Sequence, residues 1–409
     1  GEYTVAFPDT REVIMDKNLY TIVANDFETP WRVIAMGDLK NIVESDLGNA
    51  VIKKSALPIP DFVKPGKASW SWINSKDDFI IYEEQKKYID FASDMNWQYC
   101  LIDVNWDRNI GYEKIEELSN YAKTKNVGLI LWYNSAGDWN TVQYTPKNKL
   151  LTKESRSAEF QKLKDLGIKG VKIDFFGGDS QSVIAYYIDI LEDAADYELL
   201  VNFHGATLPR SWATQYPHLM TVEAVRGFET VTFTQEDADR QAEISSVLPF
   251  TRNVYDPMDY TPMNLSKVRS QVNRQTTAAF ELATSILFLS GIQHYAESPE
   301  GMKDIPTEIK ELLRNLPDQW VNSQFLSGYP GKEVVIAREG KGTWYIAGIN
   351  GENKAKNIDV DLTPFKNKEV KLKILDGENK ESFHIESGKS STKITIPVKA
   401  NGGFVIVMQ

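Results

Sequence analysis

From Lys67 onward the chain alternates short apolar runs with amphipathic helical stretches, and this alternation constrains its fold more than any other feature. Eight runs read as strands: 68–73, 99–104, 128–133, 170–175, 199–204, 219–225, a weaker one at 249–253, and 286–290. Between most of them the apolar residues fall at helical spacing. Tyr88, Ala92 and Met95 share a face, as do Ile115, Leu118 and Ala122, and Phe160, Leu163 and Leu166. The stretch 183–197 is longer and amphipathic, with Asp179 and Ser180 as candidate caps. Repeated βα units bury a parallel sheet on both faces. Eight units over about 250 residues predict an α/β fold, a closed (β/α)8 TIM barrel, over residues 61–325.

The flanks differ in character. Residues 2–7, 19–24 and 33–36 read as short strands, and two or three strands cannot bury a core alone. Residues 1–60 are therefore expected to be the tail of a larger N-terminal β domain. It leads to the barrel through Leu57-Pro58-Ile59-Pro60 and Lys64-Pro65-Gly66. After Trp320 come six short strands, at 333–338, 343–349, 355–362, 369–375, 391–397 and 403–407. Turn dipeptides Asn350-Gly351 and Asp376-Gly377 separate some of them. This predicts a C-terminal all-β sandwich over 326–409.

Composition narrows the function. A net charge of −11 argues against nucleic acid, which calls for a basic face. No run approaches the ~20 apolar residues of a membrane span. The chain opens Gly-Glu-Tyr-Thr-Val with no basic n-region, so any signal peptide is expected to have been removed. The single cysteine, Cys100, lies in an apolar strand and is expected to be a buried thiol. The aromatic residues offer flat apolar faces that suit sugar rings as well as a core.

In barrels of this type the active site lies at the C-terminal ends of the strands. Those ends carry Trp70, Trp72 and Asn74; Asp103, Asn105, Trp106 and Asp107; Trp132, Tyr133 and Asn134; Lys172 and Asp174; Asn202 and His204; Glu223, Arg226 and Glu229; Arg252, Asn253 and Asp259; His294 and Glu297. Carboxylates, amides and tryptophans on one rim suit a polyhydroxylated ring. Asp174 ends a buried apolar run, where an uncompensated ion costs several kcal/mol. It could cap the following helix. Lys172, two residues earlier, faces the same side of the strand and would hold Asp174 ionised, as a carboxylate nucleophile requires. Glu223 and Glu229 form a second group. They could bind a hard cation such as Ca²⁺, or one could be a proton donor facing Asp174. No Gly-x-Ser-x-Gly elbow, Walker loop or Cys/His zinc spacing is present.

Several pieces in order give the chain a resemblance to glycoside hydrolase family 97: Glu28-Thr29-Pro30-Trp31-Arg32, Asn41-Ile42-Val43-Glu44-Ser45-Asp46-Leu47, Lys64-Pro65-Gly66-Lys67, Val171-Lys172-Ile173-Asp174-Phe175, Asn202-Phe203-His204-Gly205, Glu223-Ala224-Val225-Arg226-Gly227-Phe228-Glu229 and Pro257-Met258-Asp259-Tyr260-Thr261-Pro262. The resemblance implies a large N-terminal β-super-sandwich, of which residues 1–60 would be a remnant, then the catalytic barrel and a C-terminal β domain. Inverting members carry a Glu base directly after the strand-5 His, where this chain has Gly205. Retaining members, typified by α-galactosidases, carry a nucleophilic Asp on strand 4, here Asp174. By resemblance Glu229 is the general acid/base, and Glu223 and Glu229 bind Ca²⁺. Lys172 and His204 match sugar-contacting positions, and Trp72, Asp103, Trp132 and Asp259 are the further substrate-binding candidates of the rim. The expected activity is a retaining exo-α-glycosidase acting on oligosaccharides or glycosides, with α-galactosides favoured, in a periplasmic or secreted setting. An α-glucosidase on the same scaffold, or a carbohydrate-binding remnant without turnover, are the alternatives.

Overall fold

Seven parallel strands form the central sheet: β1 (Gly66–Trp70), β2 (Tyr99–Ile102), β3 (Gly128–Asn134), β4 (Gly170–Asp174), β5 (Leu200–Phe203), β6 (Leu219–Val222) and β7 (Ile292–Tyr295). The computed structural model describes residues 21–29, 31–52, 58–136, 140–268, 270–388 and 392–409. The spatial order is β7-β1-β2-β3-β4-β5-β6. Between β6 and β7 the ring is nearly closed by a single parallel bridge, Val222 to Met258, and by the Gly291 N–H donating to the Met220 carbonyl at 2.9 Å. A Cβ on Gly291 would lie 2.4 Å from that carbonyl oxygen, so the backbones meet this closely only at glycine.

The intervening helices bury the stripes that their spacing predicts. Tyr82–Asp94 buries Tyr88, Ile89 and Ala92, Tyr112–Thr124 buries Ile115, Leu118 and Ala122, and Lys153–Asp165 buries Phe160 and Leu163. Thr152 and Ser155 close the start of the last of these with a reciprocal capping box. The helix expected at 183–197 runs Gln181–Asp196.

Three strand expectations shift. Residues 249–253 form a 3-10 turn, Leu248–Phe250, and further turns, so the seventh barrel position is occupied by Met258 alone. The run 286–290 is the end of a helix, Ala278–Leu287, and the strand begins at Ile292. All ten residues of that helix are buried, and its last turn runs into the apolar stretch Ile286-Leu287-Phe288-Leu289, which carries no period that separates helix from strand. The first strand ends at Trp70, and Trp72–Ser75 is a helical turn.

The N-terminal flank departs further from expectation. Residues 2–7 lie outside the described residues, as do 19 and 20. Residues 21–24 and 33–36 are not strands, and the described part carries the short helices Leu39–Val43 and Leu47–Ala50. The strand reading fails because Ile22, Trp31, Ile34 and Met36 are exposed, and residues 21–24 and 33–36 pair with none of the sheets among the described residues.

The C-terminal part adds two strands to the six expected. β8 (Asn322–Tyr329), β9 (Glu333–Gly340), β10 (Thr343–Asn350), β12 (Val370–Asp376), β13 (Phe383–Glu386) and β15 (Gly403–Met408) form a six-stranded antiparallel sheet. β11 (Lys356–Asp361) and β14 (Lys393–Val398) form a two-stranded sheet. Period-2 alternation divides the faces of β10. Trp344 and Ile346 join a core with Ile358, Val360, Ile396 and Val398 of the small sheet. Tyr345, Ala347 and Ile349 belong to the main core, and Ala278–Leu287 packs on β10 and β15. The C-terminal sheet is thus fused to the barrel by that helix. Among the described residues no helix is long and apolar enough to cross a membrane.

Candidate active site

Strand register brings the site together. Across the sheet Trp132, Lys172 and Asn202 lie in one row, and two residues further on Asn134 pairs with Asp174. Side chains of one parity point into the barrel. Tyr133, of the other parity, donates instead to Glu159 on the helix Lys153–Asp165.

Asp174 is held on both oxygens. Oδ1 accepts from the Phe175 N–H at 2.7 Å and Oδ2 from Trp132 Nε1 at 3.2 Å. Phe175 reaches this geometry with φ of 66°. The carboxylate does not cap the following helix, which begins at Gln181 with Ser180 as its N-cap residue. Lys172 Nζ lies 3.9 Å from Asp174 Oδ2, but its hydrogen-bonded partner is Asp103 Oδ2 at 2.9 Å. The expected Lys172–Asp174 pair is thus the longer arm of a fork. Trp70 Nε1 donates to the same Asp103 oxygen, and the ammonium sits 4.1 Å from the Trp70 ring centroid. Burial disfavours the charge on Lys172, yet Asp103, Glu229 and Asp174 outweigh it and hold the pKa above the ordinary lysine range.

Across the rim, the Gly205 N–H donates to Glu223 Oε2 at 2.8 Å. Gly205 has φ of 49°, and a Cβ there would lie 2.8 Å from both Asp174 Oδ1 and the Phe175 nitrogen. Glu229 opens a helical turn, Phe228–Val231. Burial is the main cause that raises its pKa, Glu223 adds to it, Lys172 opposes it, and the carboxyl is pushed up to about 8. Burial likewise raises Glu223, against the opposing pull of His204. The three carboxylates keep a solvent-facing edge, with 13, 19 and 18% of the Asp174, Glu223 and Glu229 side chains exposed.

His204 lies beneath the two glutamates, its Nδ1 3.7 Å from Glu223 Oε2 and 3.9 Å from Glu229 Oε2. Its Nε2 contacts Asp259 Oδ2 at 2.6 Å, and His294 Nδ1 contacts the same oxygen at 2.6 Å. Asp259, expected at the sugar, has no exposed side-chain surface and instead clamps two histidines from behind. The histidines hold its pKa well below the usual carboxylate range against the effect of burial. Burial and Lys172 pull the His204 pKa down, Glu223 and Asp259 outweigh them, and the imidazole is pushed up to about 9.

The donor set bears on a metal. His204 Nδ1 is buried without a hydrogen-bond partner, and a lone pair there would face two carboxylates. That arrangement calls for positive charge, either a proton on Nδ1 or a cation between the glutamates. The ligand atoms of His204, Glu223 and Glu229 lie within 4.8 Å of one another. Two carboxylates suit a hard cation but supply only part of the six to eight oxygens that Ca²⁺ takes.

Other rim residues serve the scaffold. Glu297 accepts from the backbone of Leu265, Ser266 and Ser298, Asn74 donates to the Ala296 carbonyl, and Arg226 pairs with Asp237 at the surface. Arg252 binds backbone carbonyls, while Asn105 and Asp107 hold Thr145. Sequence reasoning missed Lys76, Asp77 and Tyr144. Asp77 accepts from Trp72 Nε1 and from the Tyr144 hydroxyl, both at 2.6 Å, and Tyr144 stacks on Phe175. Lys76 and Tyr144 lie in loops and Asp77 opens the short 3-10 turn Asp77–Phe79, none with a periodic signal, and only the aromatic character of Tyr144 hinted at a sugar site.

The sequence model described as Glycoside hydrolase 97 matches residues 66–225, and that of the Glycosyl-hydrolase 97 C-terminal, oligomerisation region matches residues 319–409. The chain belongs to glycoside hydrolase family 97. Among family 97 relatives, it is 32% identical over 391 residues to a protein of Streptomyces bingchenggensis named a probable retaining α-galactosidase, covering 93% of this chain and 58% of that protein. It is 28% identical over 411 residues to a retaining α-galactosidase of Bacteroides thetaiotaomicron, covering 92% of this chain and 59% of the relative. The chain thus spans under two thirds of the length of these curated relatives. The crystal structure of a β-arabinopyranosidase superposes with a TM-score of 0.85 at 35% identity, over 90% of this chain and 59% of that one. A family 97 enzyme of a Pseudoalteromonas species, solved with panose, shares the fold with a TM-score of 0.76 at 21% identity, over 91% of this chain and 64% of that one.

Proposed function

We propose that this family 97 protein is a retaining exo-α-glycosidase that hydrolyses terminal α-galactosides through a glycosyl-aspartate. The observation that carries this reading is the fixed, partly exposed Asp174 carboxylate, bound by Phe175 N–H and Trp132 Nε1 and flanked by Lys172. Its Cα-only neighbour, Gly205, leaves no room for a competing base. In the first step Asp174 attacks the anomeric carbon. Glu229, protonated near neutral pH, gives its proton to the leaving oxygen as the glycosidic C–O bond breaks. In the second step Glu229 takes a proton from water, the hydroxide oxygen attacks the anomeric carbon, and the ester to Asp174 breaks. Lys172 and Asp103 supply a charged pair for sugar hydroxyls. The names of both curated relatives support the galactoside preference.

The structural likeness to a β-arabinopyranosidase favours a second substrate. A β-L-arabinopyranoside has the ring configuration of an α-D-galactoside without the C6 hydroxymethyl group. A panel of aryl α-galactoside, α-glucoside and β-L-arabinopyranoside ranks these, with the galactoside expected first; highest activity on the glucoside would overturn the preference. Asp174→Ala should abolish turnover, and azide should restore part of it by attacking in its place. A folded variant that azide does not rescue would remove the nucleophile role.

Ca²⁺ is the metal we assign to Glu223 and Glu229. When bound, it would supply fixed positive charge beside the two carboxylates and lower the Glu229 pKa from the value that burial sets. EDTA treatment should lower both activity and Tm, and Ca²⁺ should restore them. Activity and melting indifferent to chelation would remove the metal from the account.

A further inference from the structure

Just past Glu229 in the chain, Phe233 meets two side chains of another segment, Trp72 and Lys76. Lys76, which follows the helical turn Trp72–Ser75, extends its ammonium to within 4.2 Å of the Trp72 ring centroid and 5.9 Å of the Phe233 centroid. Its Nζ donates to Thr232 Oγ1 at 3.0 Å, and Thr232 Oγ1 donates to the Glu229 carbonyl at 2.8 Å. Through Thr232 the Lys76 ammonium is thus tied to the backbone of Glu229. Lys76 has φ of 58°, a conformation uncommon for a non-glycine residue. Phe233 meets Trp72 edge-on, with rings 82° apart, and 56% of the residue is exposed.

An exposed large aromatic is unremarkable alone. This one lies four residues beyond the acid/base, in the same turn of chain. Its Trp72 neighbour is anchored by Asp77 at 2.6 Å and stacked on Trp70 at 6.0 Å. The group that accepts a proton from Glu229 is the leaving oxygen, so whatever adjoins Glu229 on the solvent side meets the leaving group. An open aromatic face beside an ammonium, with one of its three N–H groups committed to Thr232, matches the apolar face and the hydroxyls of a second sugar ring.

We infer that Phe233 and Lys76 form the leaving-group subsite, in which a sugar released in the first step stacks on Phe233 and accepts hydrogen bonds from Lys76. The inference rests on the proposed glycosidase reading and adds that the natural substrates are oligosaccharides rather than simple glycosides. It is tested with the full chain on two substrates: an α-galactosyl disaccharide, which fills the subsite, and α-galactosyl fluoride, which does not. Phe233→Ala and Lys76→Met should each lower the ratio of kcat/KM for the disaccharide over that for the fluoride by roughly ten-fold, the size of one lost stacking or hydrogen-bonding contact. The exposed position of Phe233 makes its variant the one expected to fold without change. An unchanged ratio, whether both substrates slow together or neither does, would overturn the subsite while leaving the glycosidase intact. A wild-type chain inert on both substrates would overturn the glycosidase reading and the subsite with it.

Discussion

Gly205 and Asp174 define each other. The Gly205 N–H fixes Glu223, its missing side chain makes room for Asp174 Oδ1, and its φ of 49° is one that a side chain would resist. Gly205→Ala should therefore cost about 1–2 kcal/mol in backbone strain. It should also displace Asp174, lowering kcat on the order of 10²-fold, as a shift of about 1 Å does in an aligned site. Single-turnover kinetics on a variant with near-normal melting would measure this; an active Gly205→Ala would show that the contact is not essential. The shared direction of Asp174 and Lys172 was legible in the sequence because i, i+2 parity puts both on one face of a strand. Their partners were not. Lys172 hydrogen-bonds to Asp103, 69 positions away, and Asp259 serves His204 and His294 rather than the sugar. Such pairings depend on which strands become neighbours, and residue spacing within a single run is blind to that.

Elements that are amphipathic were legible, and those buried on all sides were not. The helices bearing Tyr88, Ile115 and Phe160 follow their spacing, whereas Ala278–Leu287 hid its last turn behind an unbroken apolar run. That helix ends at Arg338 of β9. The guanidinium donates to the carbonyls of Ile286 and Leu287 at 2.7 and 2.6 Å, and to Ser323 Oγ of β8 at 2.6 Å. A cation on the terminal carbonyls satisfies acceptors that the helix leaves open and opposes its dipole. Arg338 thus couples the C-terminal sheet to the barrel at one point. Arg338→Met should lose about 1–3 kcal/mol for each buried carbonyl left unpaired. A thermal melt should show a lowered Tm, and an unchanged melt would mean that water replaces the guanidinium without loss.

For the whole molecule, the barrel and the C-terminal sheet followed from the order of their runs, and the N-terminal flank did not follow from its strand-like composition. Residues such as Trp31 and Met36 are apolar without being core, because nothing in the described structure covers them. The assembled rim is what gives the molecule its chemistry. One carboxylate ends β4 and is held by an indole and a backbone amide, and a second, in the helical turn beyond β6, has its pKa raised chiefly by burial. The central claim is that these two act by double displacement. Proton NMR of the first sugar released from an aryl α-galactoside tests it most directly. Retention predicts α-galactose as the initial product, with the β anomer growing only at the rate of mutarotation. Initial release of β-galactose would show inversion and contradict Asp174 as the nucleophile.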